Sequence, residues 1–409
     1  MMATDSIIPL MNEATWRYVR MHANDDVRQL ALRGTKDAEV DLPMALQQLQ
    51  GWQKARRKLP SWAAIEGVVY PSHLSMEQCS SEQTARYKAA IANSLDGKER
   101  LVDLTGGFGV DFAWMSEGFA EAVYVEQQPQ LYAIASANFK TIRKQDHTEN
   151  RQRLTTVNAD GMDFLHELNH ASLIFLDPAR RDSKGSRTYG IADCQPNVLP
   201  LLDELLTKGD HVMLKLSPML DWCKAVADIG IGHVEQVHIV AVGGECKELL
   251  LVLSAQGSQS PRLFCVNDEQ VEEFKIGVSV NRSRERADGR FLYEPHAALM
   301  KAGVFDELAS RYAVYPLGPN SHLFCSDVKV AAFPGRSFEI VAQSSMNKQE
   351  LKAKIMPLRQ ANISVRNFPL SVAELRKRLK LSEGGSNYLF ATTLANGDHV
   401  LLVGKKLTP

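Results

Sequence analysis

The stretch Val102-Asp-Leu-Thr-Gly-Gly-Phe-Gly-Val-Asp111 decides the fold of this 409-residue chain. Its apolar start is typical of a strand, its glycines are typical of a loop, and a helical pattern follows. Glycines in such a loop allow positive φ and a close approach of the backbone to a ligand. Because doubly wound sheets bind ligands at the carboxyl ends of their strands, we expect a cofactor site here.

Short β-rich runs alternate with helical patterns from residue 85 to about residue 255. We predict strands at Leu101–Leu104, Val123–Val125, Leu154–Val157, Leu173–Leu176 and Val212–Leu216. The intervening helices are predicted at Val110–Met115, Gln130–Ile142, Met162–Leu168 and Asn197–Leu206. This alternation predicts an α/β fold with a parallel, doubly wound sheet.

Two further strand-like runs, Val234–Val242 and Lys247–Leu253, are joined by Gly243-Gly-Glu-Cys246. So short a link predicts an antiparallel hairpin, which a dinucleotide dehydrogenase sheet does not have. The dinucleotide-binding pattern G-x-G-x-x-G would also require a glycine at Phe112 if Gly107 and Gly109 were its first two. Both features make an NAD(P) oxidoreductase the least favoured alternative.

The arrangement D-x-x-G-G-x-G is similar to motif I of class I S-adenosylmethionine (SAM)-dependent methyltransferases, whose Rossmann-like sheet ends in an antiparallel strand. The resemblance implies a methyltransferase with SAM as its cofactor. It also implies which residues face the methionine part of SAM, namely Asp103 and the loop residues Thr105, Gly106, Gly107, Phe108 and Gly109.

The ends of the second and third predicted strands supply further cofactor candidates. Glu126 follows the second strand, where an acidic side chain can accept hydrogen bonds from both ribose hydroxyls, and Gln127 is its neighbour. Asp160, Gly161 and Met162 follow the third strand. The resemblance implies that Asp160 pairs with the adenine amino group and that the next apolar residue packs on the ring. Asp160 is equally suited to cap the helix that starts near Gly161.

The fourth predicted strand ends in Leu176-Asp-Pro-Ala-Arg-Arg181, which resembles the D-P-P-x and N-P-P-Y loops of nucleic-acid methyltransferases. We predict Asp177, Pro178 and Arg180 as catalytic residues and Arg181 as a substrate-binding residue. N-P-P-Y enzymes stack an aromatic residue on a flipped base, and Arg180 replaces that residue here. Asp177 could still orient an acceptor nitrogen, and the arginines could bind phosphate or form structural ion pairs.

The fifth predicted strand ends in Leu214-Lys-Leu-Ser-Pro218, which resembles the S-C-N-P stretch of RNA 5-methyluridine methyltransferases. That stretch carries a nucleophilic cysteine, and no cysteine stands at its position here. Methylation of carbon through a covalent intermediate therefore lacks its nucleophile, which favours a nitrogen or oxygen acceptor. Lys215 is a further candidate for substrate binding.

The C-terminal residues are basic, with 12 Lys and Arg against 5 Asp and Glu in Ala331–Pro409, although the whole chain has a net charge of -1. The stretches Arg366-Asn-Phe-Pro-Leu-Ser-Val-Ala-Glu-Leu-Arg-Lys-Arg378 and Glu383-Gly-Gly-Ser-Asn-Tyr388 resemble a THUMP-like domain. Tyr293-Glu-Pro-His296 with Lys301 resembles the small ferredoxin-like module of the same bacterial family. THUMP domains present RNA to the catalytic domains fused to them, so the resemblance implies an RNA partner such as tRNA or rRNA. We predict that Arg376, Lys377 and Arg378 bind it.

Four domains are expected: a helical domain (1–84), the methyltransferase domain (85–255), a small ferredoxin-like α/β module (256–330) and the basic THUMP-like domain (331–409). Ser80 and Gln83 have capping-box spacing, and His296–Arg311 has a helical pattern. Two other functions stay open. One is a methyltransferase of small molecules, and the other is a non-catalytic RNA-binding protein with a vestigial core.

Location and metal content can also be predicted from the sequence. The six cysteines form no C-x-x-C pair and no zinc-like spacing with histidine, so we expect reduced thiols and no metal. Met1–Glu13 lacks the basic segment of a signal peptide, and no apolar run approaches the roughly 18 residues of a membrane span. We therefore expect a cytoplasmic protein without a membrane partner.

Overall fold

A computed structural model describes residues 11–145, 152–180, 190–278, 283–286 and 288–407. The chain divides into two compact units. The first consists of Met1–Val237 and Leu249–Pro261, and the second of His238–Glu248 and Arg262–Pro409. Within the described ranges, no helix combines the length and apolar composition that crossing a bilayer requires.

The first unit opens with helices, as the sequence predicts. They are α1 (Glu13–Met21), α2 (Val27–Arg33), α3 (Leu42–Lys58), α4 (Pro60–Ala63), α5 (His73–Gln78) and α6 (Glu82–Ser94). Side chains cap most of these helices: Asp41, for example, accepts a hydrogen bond from the backbone N–H of Met44 at the start of α3. Ala45 and Leu49 are fully buried on one face of α3 and pack against α1 and α2.

The sheet of the first unit follows the predicted order of strands and helices. The strands between residues 100 and 253 are β1 (Arg100–Asp103), β2 (Glu121–Val125), β3 (Arg153–Val157), β4 (Ala171–Leu176), β5 (Ala179–Arg180), β6 (Cys194–Gln195), β7 (Gly209–Leu216), β8 (Val234–Val242) and β9 (Glu245–Leu253). The helices between them are α7 (Val110–Ser116), α8 (Pro129–Gln145), α9 (Gly161–Glu167), α10 (Leu202–Lys208) and α11 (Trp222–Ile229).

Strand pairing confirms the predicted parallel sheet. The parallel order is β7-β4-β1-β2-β3, and β9 then pairs antiparallel with β7. The hairpin of β8 and β9 thus completes the sheet in the manner that the link Gly243–Cys246 predicts. The two small strands β5 and β6 form a separate antiparallel pair.

The second unit contains the far end of that hairpin and two sets of strands. The strands β10 (Arg262–Asn267) and β11 (Gln270–Lys275) pair antiparallel. The remaining strands are β12 (Phe291–Pro295), β13 (Tyr315–Pro316), β14 (Phe324–Ser326), β15 (Gly335–Ser345), β16 (Asn362–Arg366), β17 (Asn387–Thr393) and β18 (His399–Lys406). These seven form one sheet in the order β13-β14-β12-β15-β18-β17-β16.

The helices of the second unit are α12 (Ala297–Ala302), α13 (Phe305–Tyr312), α14 (Lys348–Glu350) and α15 (Val372–Leu379), and a π-helical turn follows α14 at Leu351–Ile355. The predicted continuous helix His296–Arg311 is wrong. Gly303 takes a left-handed conformation (φ 74°) and ends α12, so a new helix begins two residues later. A capping box between Ser371 and Glu374 begins α15.

Candidate active site

The carboxyl end of β1 carries a fully buried acid, Asp103. Its carboxylate accepts a 2.9 Å hydrogen bond from the backbone N–H of Thr105. Burial raises the pKa of Asp103 well above its usual value, and the neighbouring carboxylates Asp111, Asp177 and Glu126 act in the same direction. Several acids therefore converge at this end of the sheet.

The Gly-rich loop that follows takes a shape that requires glycine. Gly107 and Gly109 have positive φ angles of 57° and 84°. A Cβ atom on Gly106 would lie 2.1 Å from the ring of Tyr124. The ring of Phe108 is buried and makes an edge contact with Trp62. The backbone of the loop, rather than the side chain of Phe108, is thus the part suited to contact a ligand.

Glu126, at the end of β2, is bound to this loop. One carboxylate oxygen accepts the N–H of Gly107 at 2.8 Å, and the other accepts the N–H of Gln128 at 2.8 Å. Each oxygen of a carboxylate can accept a second hydrogen bond, so these contacts leave capacity for hydroxyl groups. Gln127 beside it is exposed.

The residues after β3 form the start of a helix. Asp160 caps α9 by accepting the N–H of Met162 at 2.7 Å, which is the capping alternative considered above. A Cβ atom on Gly161 would lie 2.0 Å from the carbonyl oxygen of Leu104, so α9 approaches the backbone after β1 closely. Asp160 is exposed and Met162 is half-buried.

Asp177, at the end of β4, lies next to the Gly-rich loop. Its backbone N–H donates a 2.6 Å hydrogen bond to the Thr105 hydroxyl. Its half-exposed carboxylate forms an ion pair with the ammonium group of Lys215, which is 8% exposed on β7. Lys215 therefore contacts the predicted catalytic acid directly, which the sequence did not predict.

A second acid holds the other side of Lys215. Asp111, in the first turn of α7, lies 3.6 Å from the Lys215 ammonium and 3.2 Å from that of the fully buried Lys88. Burial alone would raise the pKa of Asp111, but the two ammonium groups hold the pKa below its usual value. The Ser80 hydroxyl donates a further 2.7 Å hydrogen bond to this carboxylate.

The hydrogen bond from Ser80 to Asp111 shows that the predicted cap at Ser80 and Gln83 is wrong. The helix α6 is capped by Ser81, which accepts the N–H of Thr84 at 3.2 Å, so the cap lies one residue later than predicted. Sequence reasoning missed Lys88 and Asp111 as members of the site. The sequence signal that could have indicated them is that each is a charged residue at a helix position that faces the core.

The other predicted catalytic positions are described in part. Pro178 is buried, and the backbone of Arg180 pairs with Cys194 in the β5–β6 ladder. The side chain of Arg180 and the whole of Arg181 lie outside the described residues.

Known protein families and a solved structure resemble this chain. Residues 335–406 match a THUMP domain-like family, and residues 291–334 match a ferredoxin-like domain family. A crystal structure of a candidate methyltransferase from Porphyromonas gingivalis W83 is 33% identical and has a TM-score of 0.83, covering 97% of this chain and 98% of that one. The chain belongs to the class I SAM-dependent methyltransferases with a C-terminal THUMP-like domain.

Two curated relatives of this methyltransferase come from Mycobacterium tuberculosis, strains CDC 1551 and H37Rv. Both are named as uncharacterized S-adenosylmethionine-dependent methyltransferases. Each is 25% identical over 316 residues, which cover 75% of this chain and 80% of the relative.

The space and polar groups at the Gly-rich loop of the methyltransferase fit SAM. A Cβ atom on Gly107 would lie 3.7 Å from the carbonyl oxygen of Thr105, its nearest atom outside the two adjacent residues. The loop surface is therefore open at Gly107. The Glu126 carboxylate lies beside this open backbone. Open backbone next to a strand-end carboxylate is the arrangement that nucleoside cofactors need in such sheets.

The predicted RNA-binding residues of the THUMP-like domain lie in the last turn of α15. Lys377 and Arg378 are exposed. Arg376 is half-buried and donates a 3.4 Å hydrogen bond to the carbonyl oxygen of Ala361, so part of its capacity is used within the domain. The π-helical turn, which packs with α15 over a common core, adds exposed Lys352 and Lys354.

Proposed function

We propose that this methyltransferase transfers the methyl group of SAM to a nitrogen or oxygen atom of RNA. The observation that carries the proposal is the group of exposed cations on the helical layer of the THUMP-like domain. Its members are Lys352, Lys354, Lys377, Arg378 and Lys380. A group of exposed cations suits the phosphates of a polyanion, and such a partner would explain why the segment Ala331–Pro409 is basic.

For the cofactor, we propose that the Gly-rich loop and Asp103 hold the methionine part of SAM. Glu126 would accept hydrogen bonds from the ribose hydroxyls through its remaining acceptor capacity, with Gln127 beside it. Asp160, Gly161 and Met162 would form the adenine side. The cap that Asp160 makes to Met162 leaves further acceptor capacity on its carboxylate, so capping and adenine contact are compatible.

For the chemistry, we propose that Asp177 orients the acceptor atom and that Pro178 and Arg180 shape the substrate side. SAM supplies a methyl group on a positively charged sulfur. When bound, SAM would give its methyl carbon to the lone pair of the acceptor and leave as S-adenosylhomocysteine, and the proton of a nitrogen or hydroxyl acceptor would pass to solvent. A reaction of this kind depends on positioning and on electrostatics rather than on a protein nucleophile.

The decisive experiment follows the methyl group. The purified chain is incubated with methyl-tritiated SAM and an extract from cells that lack the enzyme, and the extract is separated into RNA, protein and small molecules. Label in RNA that ribonuclease releases supports the proposal. Label in small molecules would support the small-molecule alternative. RNA binding without any transfer would support the non-catalytic alternative.

A further inference from the structure

Four charged side chains of alternating sign form an ion-pair network in the first unit: Lys88, Asp111, Lys215 and Asp177. The Lys88 ammonium lies 3.2 Å from one oxygen of Asp111, and the Lys215 ammonium lies 3.6 Å from the other. Lys215 also contacts Asp177. The network is therefore continuous from α6, through α7 and β7, to the end of β4.

Exposure changes along this network in one direction. The side chain of Lys88 is 0% exposed, those of Asp111 and Lys215 are 11% and 10% exposed, and that of Asp177 is 38% exposed. The network thus begins in the core and ends at the one member that a substrate can readily reach. Two cations and two anions make it electrically neutral.

Stability alone gives a poor reason for this arrangement. Removing ions from water costs several kcal/mol per ion, and well-packed apolar residues of similar volume are often as stable as a buried ion pair or more stable. What a buried ion pair does provide is a fixed position for each charge. The Ser80 hydroxyl, 2.7 Å from Asp111, adds a third contact that fixes the carboxylate between the two ammonium groups.

The location of the network indicates what is being positioned. Asp111 follows the Gly-rich loop directly, and Asp177 donates its backbone N–H to Thr105 within that loop. The backbone of Asp177 is held from one side by the loop, and its carboxylate is held from the other side by Lys215. The position of Lys215 depends in turn on Asp111.

We infer that Asp111 and Lys88 are positioning residues for methyl transfer, holding the Lys215 ammonium and, through it, the Asp177 carboxylate at the edge of the cofactor loop. This inference rests on the proposed function of Asp177 as the residue that orients the acceptor atom. It assigns Lys215 to the support of Asp177 instead of to direct substrate binding. A displacement of about 1 Å in such a carboxylate is enough to lower the rate about 100-fold.

A double-mutant cycle tests the inference with radiolabelled SAM and RNA. Asp111→Asn should lower kcat on the order of 10- to 100-fold while leaving the affinity for SAM within a few-fold. In an Asp177→Asn background the same change should cause little further loss, because Asp111 acts through Asp177. Equal losses in both backgrounds, or an unchanged kcat, would overturn the inference.

Matched variants separate positioning from folding. Lys215→Arg keeps the cation and should retain more activity than Lys215→Met. Glu121→Gln alters a carboxylate paired with Arg100 at the amino end of β2 and should leave kcat unchanged. If Asp111→Asn unfolds, Lys88→Met combined with Asp111→Asn removes both members of the Lys88–Asp111 ion pair and should restore folding but not kcat.

A readout without turnover keeps this test independent of the RNA proposal. In the protein labelled with 13Cγ-aspartate, the carboxyl resonance of Asp177 is identified by its loss in Asp177→Asn. Asp111→Asn should change the chemical shift and the pH titration of that resonance, whereas Glu121→Gln should change neither. An unaltered resonance overturns the positioning role. Failure of methyl transfer to RNA with an altered resonance would instead reject the proposed function alone.

Discussion

The backbone N–H of Asp177 donates a 2.6 Å hydrogen bond to the side-chain hydroxyl of Thr105. The two residues stand 72 positions apart, one after β4 and the other in the Gly-rich loop after β1. The bond therefore joins the segment that we assign to the acceptor with the segment that we assign to the cofactor. A change in the Thr105 side chain therefore acts directly on the backbone of the proposed catalytic acid.

Thr105→Val should remove this hydrogen bond between the two segments. Valine has nearly the same volume but no hydroxyl, so the partly buried N–H of Asp177 loses its acceptor. We expect a loss of about 1–3 kcal/mol in the free energy of unfolding, together with a lower kcat. Thr105→Ser retains the hydroxyl and should behave nearly as wild type. Urea unfolding and initial rates measure both effects, and a stable, fully active valine variant would contradict the expectation.

Gly107→Arg should abolish SAM binding without unfolding the protein. The position is open to a side chain, although its φ of 57° puts some strain on any residue but glycine. Gly303→Arg is the matched control, because Gly303 has a left-handed φ of 74° and open space at the end of α12. Isothermal titration with SAM should show binding by the control and by wild type only. A folded Gly107→Arg variant with normal SAM affinity would remove the loop from the cofactor site.

Much of this fold could be predicted from the sequence because its signals are local. The buried parallel strands are continuous apolar runs, and the loop after β1 requires glycines at adjacent positions. The network of Lys88, Asp111 and Lys215 has no local signal, since its members meet only when α6, α7 and β7 pack together. The cap of α6 was misplaced because Ser80 and Ser81 both suit a helix start, and the tertiary contact to Asp111 decides between them.

The buried acid Asp103 should make stability depend on pH. The pKa of Asp103 is raised in the folded protein. At a pH above the usual Asp pKa of about 4, the unfolded chain therefore releases a proton that the folded chain keeps. The contribution of Asp103 to the free energy of unfolding therefore falls as the pH rises towards the raised pKa. Asp103→Asn cannot titrate, and its amide oxygen can still accept the N–H of Thr105. Urea unfolding between about pH 4 and pH 8 should show the variant gaining stability relative to wild type as the pH rises. A constant difference would show that Asp103 does not titrate in this way.

The cations at the end of α15 should bind RNA phosphates. Lys377→Gln with Arg378→Gln removes two exposed charges, and both residues lie at the last turn of a helix where glutamine is well tolerated. Each lost contact with single-stranded RNA should reduce the slope of log affinity against log salt by about 0.7, so the double variant should lose about 1.4. Arg33→Gln with Lys36→Gln makes the same charge change on exposed residues of the first unit and serves as the control. Fluorescence titration of labelled RNA at several salt concentrations gives both slopes. Equal slopes for the two double variants would mean that α15 does not contact RNA, and the small-molecule alternative would then become the better account of the site.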